Sequence, residues 1–272
     1  MEYLIAVDLE GVNNVVGEPY SGLSKNTSEY VKAINQAVLE INATINALFD
    51  GGATKVFVWD NHGGGNNLDF SKIDGRAQKL DVVAPCTERF EFCKTHNFKG
   101  TIYIGYHSRE GSINGVLAHT YNSSTIQYFK IGNNYVGEFE LDASISSAYG
   151  IAPLFACGDD VFVSQVKEFS PSTVTVVTKK ATGRNLAIFK NNDALLQEIY
   201  NGVKLSLIKN VKPICLPLPN NIEIRYTRTE RAKEVIDIQK QNYNRDFTYG
   251  EDAHTIISTV NDIEDLKHSI IT

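Results

Sequence analysis

Two carboxylates separated by one residue, Asp8 and Glu10, follow directly on the apolar run Tyr3–Val7. A short and continuously apolar run of this kind predicts a buried strand. Side chains alternate along a strand, so Asp8 and Glu10 are expected on the same side of it. Two carboxylates held that close repel each other unless a cation or a shared proton lies between them. The pair therefore indicates either a cation site or, as the simpler alternative, two solvated acids before a turn at Gly11.

Three further residues of metal-binding type stand at the ends or beginnings of other predicted elements. His62 follows a strand predicted at 55–59, His107 follows a strand predicted at 101–106, and Glu138 begins a predicted helix. In open parallel sheets, functional sites form where the carboxyl ends of the strands meet. A single histidine at a strand end is more often a hydrogen-bonded structural residue. Three strands that all end in such residues favour a metal site.

The number of these candidate ligands is larger than one catalytic zinc ion needs. Such an ion has about three protein ligands and one open position, whereas the sequence offers two histidines and three carboxylates. The surplus predicts two ions that share a bridging carboxylate, about 3.5–4 Å apart in hydrolytic two-metal sites. Asp8, nearest the centre of the sheet, is the predicted bridge. Imidazole and carboxylate ligands together suit zinc, with manganese or cobalt as substitutes.

His119 lies twelve positions after His107, in a segment predicted to run from a loop into a strand. Beside the metals, and not as a ligand, it could transfer protons or stabilise a developing oxyanion. The alternative is a buried structural histidine. Arg109 and Arg184 are candidates for contacting a substrate carboxylate, or else are solvated or structural charges.

The elements that position these residues alternate between strands and helices. Apolar residues at three- and four-residue steps from Val31 to Leu48 predict an amphipathic helix that ends at Gly51-Gly52. A strand, a helix and a strand of this length form a right-handed unit with parallel strands. The other predicted strands lie at 80–83, 127–131, 135–138, 153–157, 173–178 and 222–226, and the other helices at 88–94, 138–149, 161–169, 193–207, 230–238 and 254–270.

This order predicts an α/β fold with a mostly parallel central sheet flanked by helices and a smaller C-terminal α+β lobe. A connector that carries Pro213, Pro217 and Pro219 is the predicted boundary. Residues 1–210 would form the metal-binding α/β lobe and residues 211–272 the smaller lobe, with an exchange of strands between lobes left open.

The overall composition limits the classes of partner. The 272 residues carry a net charge of -6, which gives no basic surface and argues against nucleic acid. No run approaches the roughly 18 apolar residues of a membrane span. Four cysteines without a C-x-x-C pair and a core strand that begins at Tyr3 predict a reduced, cytoplasmic protein.

Five short motifs occur in a specific order: Asp8-x-Glu10-Gly11, Asp60-x-His62, Gly105-Tyr106-His107, Gly115-Val116-x-x-His119 and Val136-Gly137-Glu138. With this ordered set the sequence resembles the DppA-type zinc D-aminopeptidases, the dipeptide-transport-associated peptidase family, along essentially the whole chain. The resemblance implies that two zinc ions are bound, with Asp8 as the bridge, and that His119 is the catalytic residue. The implied zinc ligands are Asp8, Glu10, His62, His107 and Glu138.

The same resemblance implies hydrolysis of N-terminal residues from short peptides, including peptides of D-amino acids, by a ring-shaped homodecamer. Trp59 and Asn61 depart from the smaller polar residues expected beside Asp60, so the side-chain and stereochemical preference is open. Two other functions stay open as well, because a two-metal site serves several chemistries. One is a metal-dependent hydrolase of phosphoesters or non-peptide amides, and the other is a non-catalytic peptide-binding relative.

Overall fold

The protein consists of a parallel sheet covered by helices and joined to a smaller antiparallel sheet, in a computed structural model that describes residues 1–20, 22–80 and 89–271. In chain order the elements are β1 (Glu2–Val7), α1 (Ser28–Asp50), β2 (Lys55–Asp60), β3 (Gln78–Leu80), β4 (Phe98–Ile104), β5 (Ile126–Ile131), β6 (Asn134–Tyr135), α2 (Glu138–Ala148), β7 (Ala152–Gly158), α3 (Asp160–Phe169), β8 (Val174–Val177), β9 (Lys179–Gly183), β10 (Leu186–Phe189), α4 (Asn192–Ile208), β11 (Asn220–Tyr226), α5 (Thr229–Tyr243), β12 (Thr248–Tyr249), β13 (Thr255–Val260) and α6 (Ile263–Ser269).

The central sheet has the strand order β3-β2-β1-β4-β7-β8 in the described part of the chain, and the described pairs are parallel. Val7 at the end of β1 lies opposite Asp60 on β2 and Ile104 on β4. These three neighbouring strands therefore end level with one another. The order of strands along the chain reverses at β1, and such a reversal opens a crevice beyond the carboxyl ends of the strands.

Apolar side chains alternate between the two faces of this sheet, and each face is covered. Ile5 and Val7 pack in one core with the apolar faces of α1 and α4, while Leu4 and Ala6 pack in the other with α2 and α3. Burial on both faces explains why β1 is an unbroken apolar run. The predicted α/β class with a mostly parallel sheet flanked by helices is confirmed. In the described residues, none of the helices combines the length and the apolar character needed to cross a membrane.

The antiparallel sheet has the order β12-β13-β11-β5-β6 within the described chain. Two of its strands, β5 and β6, come from the first 210 residues, and three come from the segment 211–272. The lobes therefore exchange strands, and the boundary at residue 210 stays a prediction. The sheet packs through Ile222 and Ile224 of β11 into the core that contains α2 and α3.

Several predicted elements differ from those observed. The helix predicted at 254–270 is wrong, since residues 255–260 form β13, paired with β11, and only Ile263–Ser269 is helical. The segment before His119 is an irregular loop and not the start of a strand. Of the strand predicted at 80–83, residues 81–83 lie outside the described residues, as does residue 88 of the helix predicted at 88–94. Glu91–Lys94 forms a 3-10 helix.

Candidate metal centre

The ends of β1 and β4 approach each other so closely that glycine is required in both turns. The backbone N–H of Gly11 donates to Gly105 O at 2.7 Å. A Cβ at Gly11 would lie 1.9 Å from the carbonyl oxygen of Tyr106. Gly105 has φ +70, and its Cβ would lie 2.2 Å from Asp8 O. This close approach places the side chains that follow β1 next to those that follow β4.

Asp8 lies at the centre of the resulting cluster and contacts two histidines with its two carboxylate oxygens. Its Oδ1 is 2.9 Å from His62 Nδ1, and its Oδ2 is 3.4 Å from His107 Nε2. Glu10 Oε2 also contacts His62 Nδ1, at 3.1 Å, and Glu138 Oε1 contacts His107 Nε2, at 3.3 Å. The structure thus brings the five predicted ligands together, and Asp8 contacts both histidines. Donor atoms of Asp8, Glu10 and His107 also lie within 4.8 Å of one another.

In the imidazole of His107, the nitrogen that faces the carboxylates, Nε2, lacks a hydrogen bond in the described structure. Its Nδ1 lies 3.0 Å from Ser108 O, and a carbonyl there accepts from Nδ1–H. Nε2 is buried and has no hydrogen-bond partner among the described residues. In the neutral ring Nε2 carries a lone pair, and a lone pair directed at the oxygens of Asp8 and Glu138 is repulsive unless a proton or a metal cation lies between them.

His119 stacks on His107, with ring centroids 4.0 Å apart and an angle of 14° between the planes. Its Nδ1 lies 2.8 Å from Leu117 O, so that Nε2, 3.6 Å from Glu138 Oε1, faces the cluster. Leu117 and Tyr121, two residues to either side, both have positive φ angles, of 52 and 56. Non-glycine residues in this region are concentrated at functional sites. By position alone, His119 can be either a third ligand beside His107 and Glu138 or a non-ligand.

The charges of the cluster shift one another's pKa values. Burial, reinforced by the Glu10 carboxylate, raises the pKa of Asp8 to about 7. Burial disfavours the charged form of His107, but the carboxylates of Glu138 and Asp8 outweigh it and raise its pKa to about 10. Burial likewise disfavours the charged form of Glu138, but His107 outweighs it and lowers that pKa to about 2. Such a set of acids and imidazoles exchanges protons for cations.

Burial and the neighbouring His107 lower the pKa of His119 below its ordinary value. The imidazole of His119 is therefore neutral near pH 7, in contrast to that of His107. A neutral imidazole that donates from Nδ1 has an Nε2 able to accept a proton.

A buried lysine fixes the backbone that carries Glu10. Lys179, at the start of β9, donates from Nζ to the carbonyl oxygens of Glu10, Val12 and Val15 at 2.6, 2.7 and 2.6 Å. Burial lowers the pKa of Lys179 to about 8. One ammonium group thus fixes the loop between β1 and α1 by three hydrogen bonds.

The other side of this loop contacts a buried acid of α1, Glu40. Glu40 Oε1 accepts from Asn13 N and from Gln36 Nε2, both at 2.9 Å. Its Oε2 accepts a weak hydrogen bond from the thiol of Cys157 at 3.9 Å. Burial raises the pKa of Glu40 from 4.5 to about 7.

Replacing Glu40 by glutamine is expected to stabilise the protein above pH 7 and to change little at pH 4.5. The unfolded chain loses the Glu40 proton near pH 4.5 and the folded chain only near pH 7. Wild type therefore loses stability between these values and does not regain it above pH 7. At about 1.4 kcal/mol per pKa unit, the difference between 4.5 and about 7 corresponds to a gain of about 3 kcal/mol in the variant at pH 8. Denaturant unfolding at pH 4.5 and pH 8 measures it, and an equal difference at both pH values would contradict it.

A fully buried carboxylate, Asp142, lies one helical turn after Glu138 and accepts hydrogen bonds from four residues. Its Oδ1 accepts from Arg89 Nε and Tyr121 Oη, each at 2.9 Å. Its Oδ2 accepts from Tyr106 Oη at 2.8 Å and Asn61 Nδ2 at 3.1 Å. Arg89 also donates from Nη2 to Oδ2. Charge-assisted bonds of this kind are stronger than neutral ones.

The donors to Asp142 adjoin the candidate ligands on three different elements. Asn61 precedes His62, Tyr106 precedes His107, and the backbone N–H of Tyr121 donates to Glu138 Oε1 at 2.7 Å. One carboxylate therefore ties together the ends of β2 and β4, the start of α2 and the loop after His119.

Replacing Asp142 by asparagine is expected to lower the free energy of unfolding by about 3 kcal/mol. The buried Arg89 guanidinium loses the carboxylate it bonds, and an amide nitrogen cannot accept from the donors at Oδ2. Denaturant unfolding measures the change. The matched control is Asp252→Asn, which breaks an exposed pair with Arg225 at 2.8 Å and is expected to change little. Equal losses in the two variants would contradict this account.

The cluster lies at the base of a cavity of about 830 Å³. The lining includes Asp8, Glu10, His62, His119 and Glu138 of the cluster and also Glu18, Arg89, Tyr121 and Arg184. Of the two arginines singled out in the sequence, Arg184 lines the cavity, whereas Arg109 lies 3.7 Å from Glu140 instead. Asp60 does not contact the His62 ring in the described structure; it accepts from Asn67, which in turn donates to His62 O.

The sequence interpretation missed Asp142, Tyr121 and Lys179. Asp142 had a detectable signal, because a residue four positions after Glu138 lies on the same face of the helix. Tyr121 and Lys179 had none, since their roles depend on loop geometry and on contacts across the fold.

Known proteins resemble this chain along most or all of its length. A family profile for D-aminopeptidases matches residues 1–262. A D-aminopeptidase of Bacillus subtilis (strain 168) is 28% identical over 187 residues, which cover 68% of this chain but only 66% of that relative's length. The solved structure described as the Zn-dependent D-aminopeptidase DppA from Bacillus subtilis, a self-compartmentalizing protease, superposes with a TM-score of 0.86 over 99% of this chain and 95% of that one. At 21% identity, this last match supports the fold. With 262 of its 272 residues matched by the profile, the chain belongs to the D-aminopeptidase family.

Proposed function

We propose that this protein is a dinuclear zinc aminopeptidase that hydrolyses N-terminal residues, including D-amino acids, from short peptides. The observation that carries the proposal is the position of Asp8, whose two oxygens contact different histidines at 2.9 and 3.4 Å. One group, with Glu10 and His62, would hold the first ion. The other, with His107 and Glu138, would hold the second, and Asp8 would be shared between the two.

The residues of the cluster fit zinc. The donor atoms are carboxylate oxygens and imidazole nitrogens, which zinc prefers, with manganese and cobalt as substitutes. The buried Nε2 of His107 has no hydrogen-bond partner among the described residues and faces two carboxylates, as expected of a metal ligand. When bound, zinc supplies Lewis acidity that activates water near neutral pH and polarises a carbonyl oxygen.

The protein's own side chains would bind the peptide and move the proton. His119 is neutral because burial lowers its pKa, and its Nδ1 is directed at Leu117 O. Its Nε2 can therefore accept a proton from the nucleophile and return it to the leaving amine. The contact between Leu117 O and Nδ1 holds the ring in this tautomer. With two divalent ions bound, the three carboxylates at the base of the cavity would be neutralised, so the amino terminus of a peptide would bind there as the neutral amine.

The family and its relatives support the remaining parts of the proposal. The D-aminopeptidase name of the family supports cleavage after D-residues. The description of the solved relative as self-compartmentalizing supports a homo-oligomer that encloses its sites, and we propose the ring-shaped homodecamer predicted from the sequence. Enclosure of the sites would admit short peptides and exclude folded proteins. The cytoplasmic location stays a prediction.

A substrate panel tests the proposed reaction. Free-amine dipeptides of both chiralities, their N-acetylated forms and simple phosphoesters are incubated with protein purified without chelator. Release of the N-terminal amino acid from free-amine peptides only, lost on chelation and restored by zinc, is the expected result. Hydrolysis of phosphoesters alone would overturn the proposal, as would inactivity of the zinc-loaded protein on every substrate.

A further inference from the structure

The charged residues of the cavity are unevenly distributed between its base and its rim. The base carries the carboxylates of the metal centre. Two arginines line the cavity, and one of them, Arg89, is bonded to Asp142. The other, Arg184, is exposed and forms no ion pair within 4 Å in the described part of the chain, and the carboxylate of Glu110 interacts with it only at longer range. Glu18, which also lines the cavity, forms no ion pair with Arg184 among the described residues.

Arg184 is held in place by bonds to the segment that carries His119. Its Nη1 donates to Ala118 O at 2.6 Å, and its carbonyl oxygen accepts from Leu117 N at 2.9 Å. The next residue in the turn between β9 and β10, Asn185, donates to Val16 O at 2.8 Å. The turn is thus attached both to the His119 loop and to the loop that follows Glu10.

The guanidinium group retains donors for a ligand. Nη1 is used by Ala118, whereas Nε and Nη2 have no acceptor among the described residues. A guanidinium edge with two free N–H groups matches the geometry of a carboxylate. A metal centre at one end of the cavity would bind the amino end of a short peptide, and the cation of Arg184 would bind its carboxyl end. A cavity of about 830 Å³ has room for a short peptide of this kind.

We infer that Arg184 binds the free C-terminal carboxylate of short peptides and so selects them over longer or amidated ones. This inference rests on the proposed aminopeptidase function. The substrate class is therefore di- and tripeptides with both termini free, and Arg184 is a specificity-determining residue for it.

Kinetics on a matched pair of substrates test the inference. The pair is one dipeptide with a free carboxylate and the same dipeptide as its C-terminal amide. In wild type we expect kcat/KM to be about tenfold higher for the free acid than for the amide, mostly because KM is lower for the free acid. In Arg184→Gln the ratio of the two kcat/KM values should fall close to one. Arg184→Lys should give an intermediate ratio. Arg228→Gln, which removes an exposed arginine outside the cavity lining, is the control for net charge and should keep the wild-type ratio.

A binding measurement separates this inference from the proposed reaction. Calorimetry on the zinc-loaded protein uses dipeptide analogues in which CH2 replaces the scissile carbonyl, again as free acid and as amide. Tighter binding of the free acid by wild type, lost in Arg184→Gln, supports the inference even if no peptide is hydrolysed. An equal preference in wild type and Arg184→Gln, in either measurement, overturns it. That result would leave the aminopeptidase proposal intact wherever peptides are cleaved.

Discussion

Replacing Asp8 by asparagine is expected to lower peptidase activity at least about a thousandfold and to remove zinc from both positions. The two oxygens of Asp8 contact His62 and His107, which belong to different ligand groups. Asparagine offers one carbonyl oxygen and no charge, so it cannot serve both groups. Metal catalysis contributes several kcal/mol to the rate, which sets the size of the loss. Metal analysis and peptide hydrolysis on the same preparation measure both effects.

Two control variants test whether Asp8 is shared between the two ions. Glu10→Gln alters a carboxylate whose ion pair within 4 Å, among the described residues, is with His62, so we expect one ion to be lost and one retained. Asp69→Asn changes an exposed acid on a surface 3-10 helix and should leave both ions in place. If Asp8→Asn kept one ion and Glu10→Gln kept the same number, Asp8 would not be the shared ligand.

Replacing His119 by alanine is expected to lower kcat by about a hundredfold to ten-thousandfold while the zinc content stays at the wild-type value. Proton transfer by a positioned side chain typically contributes a factor of this size to the rate. The lowered pKa of His119 and the direction of its Nδ1 toward Leu117 O support the role of proton acceptor. Steady-state kinetics with metal analysis measure both quantities.

The zinc content of His119→Ala decides whether His119 is a zinc ligand or a non-ligand, because the geometry allows both. A ligand at this position would lose an ion on substitution by alanine, which would contradict its assignment as a proton-transfer residue. His96→Ala removes a histidine that stacks on Phe98, away from the cavity, and should change neither quantity. Unchanged kcat in His119→Ala would contradict the catalytic role itself.

The clustering of the candidate ligands was predictable because it depends on a local rule. Parallel strands present the residues that follow them at one edge, and the apolar runs before Asp8, His62 and His107 identify those strands. The structure places these residues together as that rule expects, and it adds Glu138 at the start of α2. Family resemblance assigned the roles, which the variants above test.

Other features could not be read from the sequence. Ile256, Val260, Ile263, Leu266 and Ile270 fit helical spacing, yet β-branched residues at 255–260 pair with β11 and form β13. Tertiary pairing here overrides a helical pattern. The turn that carries Arg184 was also missed, because its position depends on bonds to loops that are more than sixty residues away in the chain.

The most direct measurement is anomalous diffraction at the zinc edge from crystals of zinc-loaded protein. We expect two peaks at the base of the cavity, one within bonding distance of Glu10 and His62 and the other within bonding distance of His107 and Glu138. Asp8 would contact both. A single peak, or two peaks that do not share Asp8, would contradict the dinuclear centre.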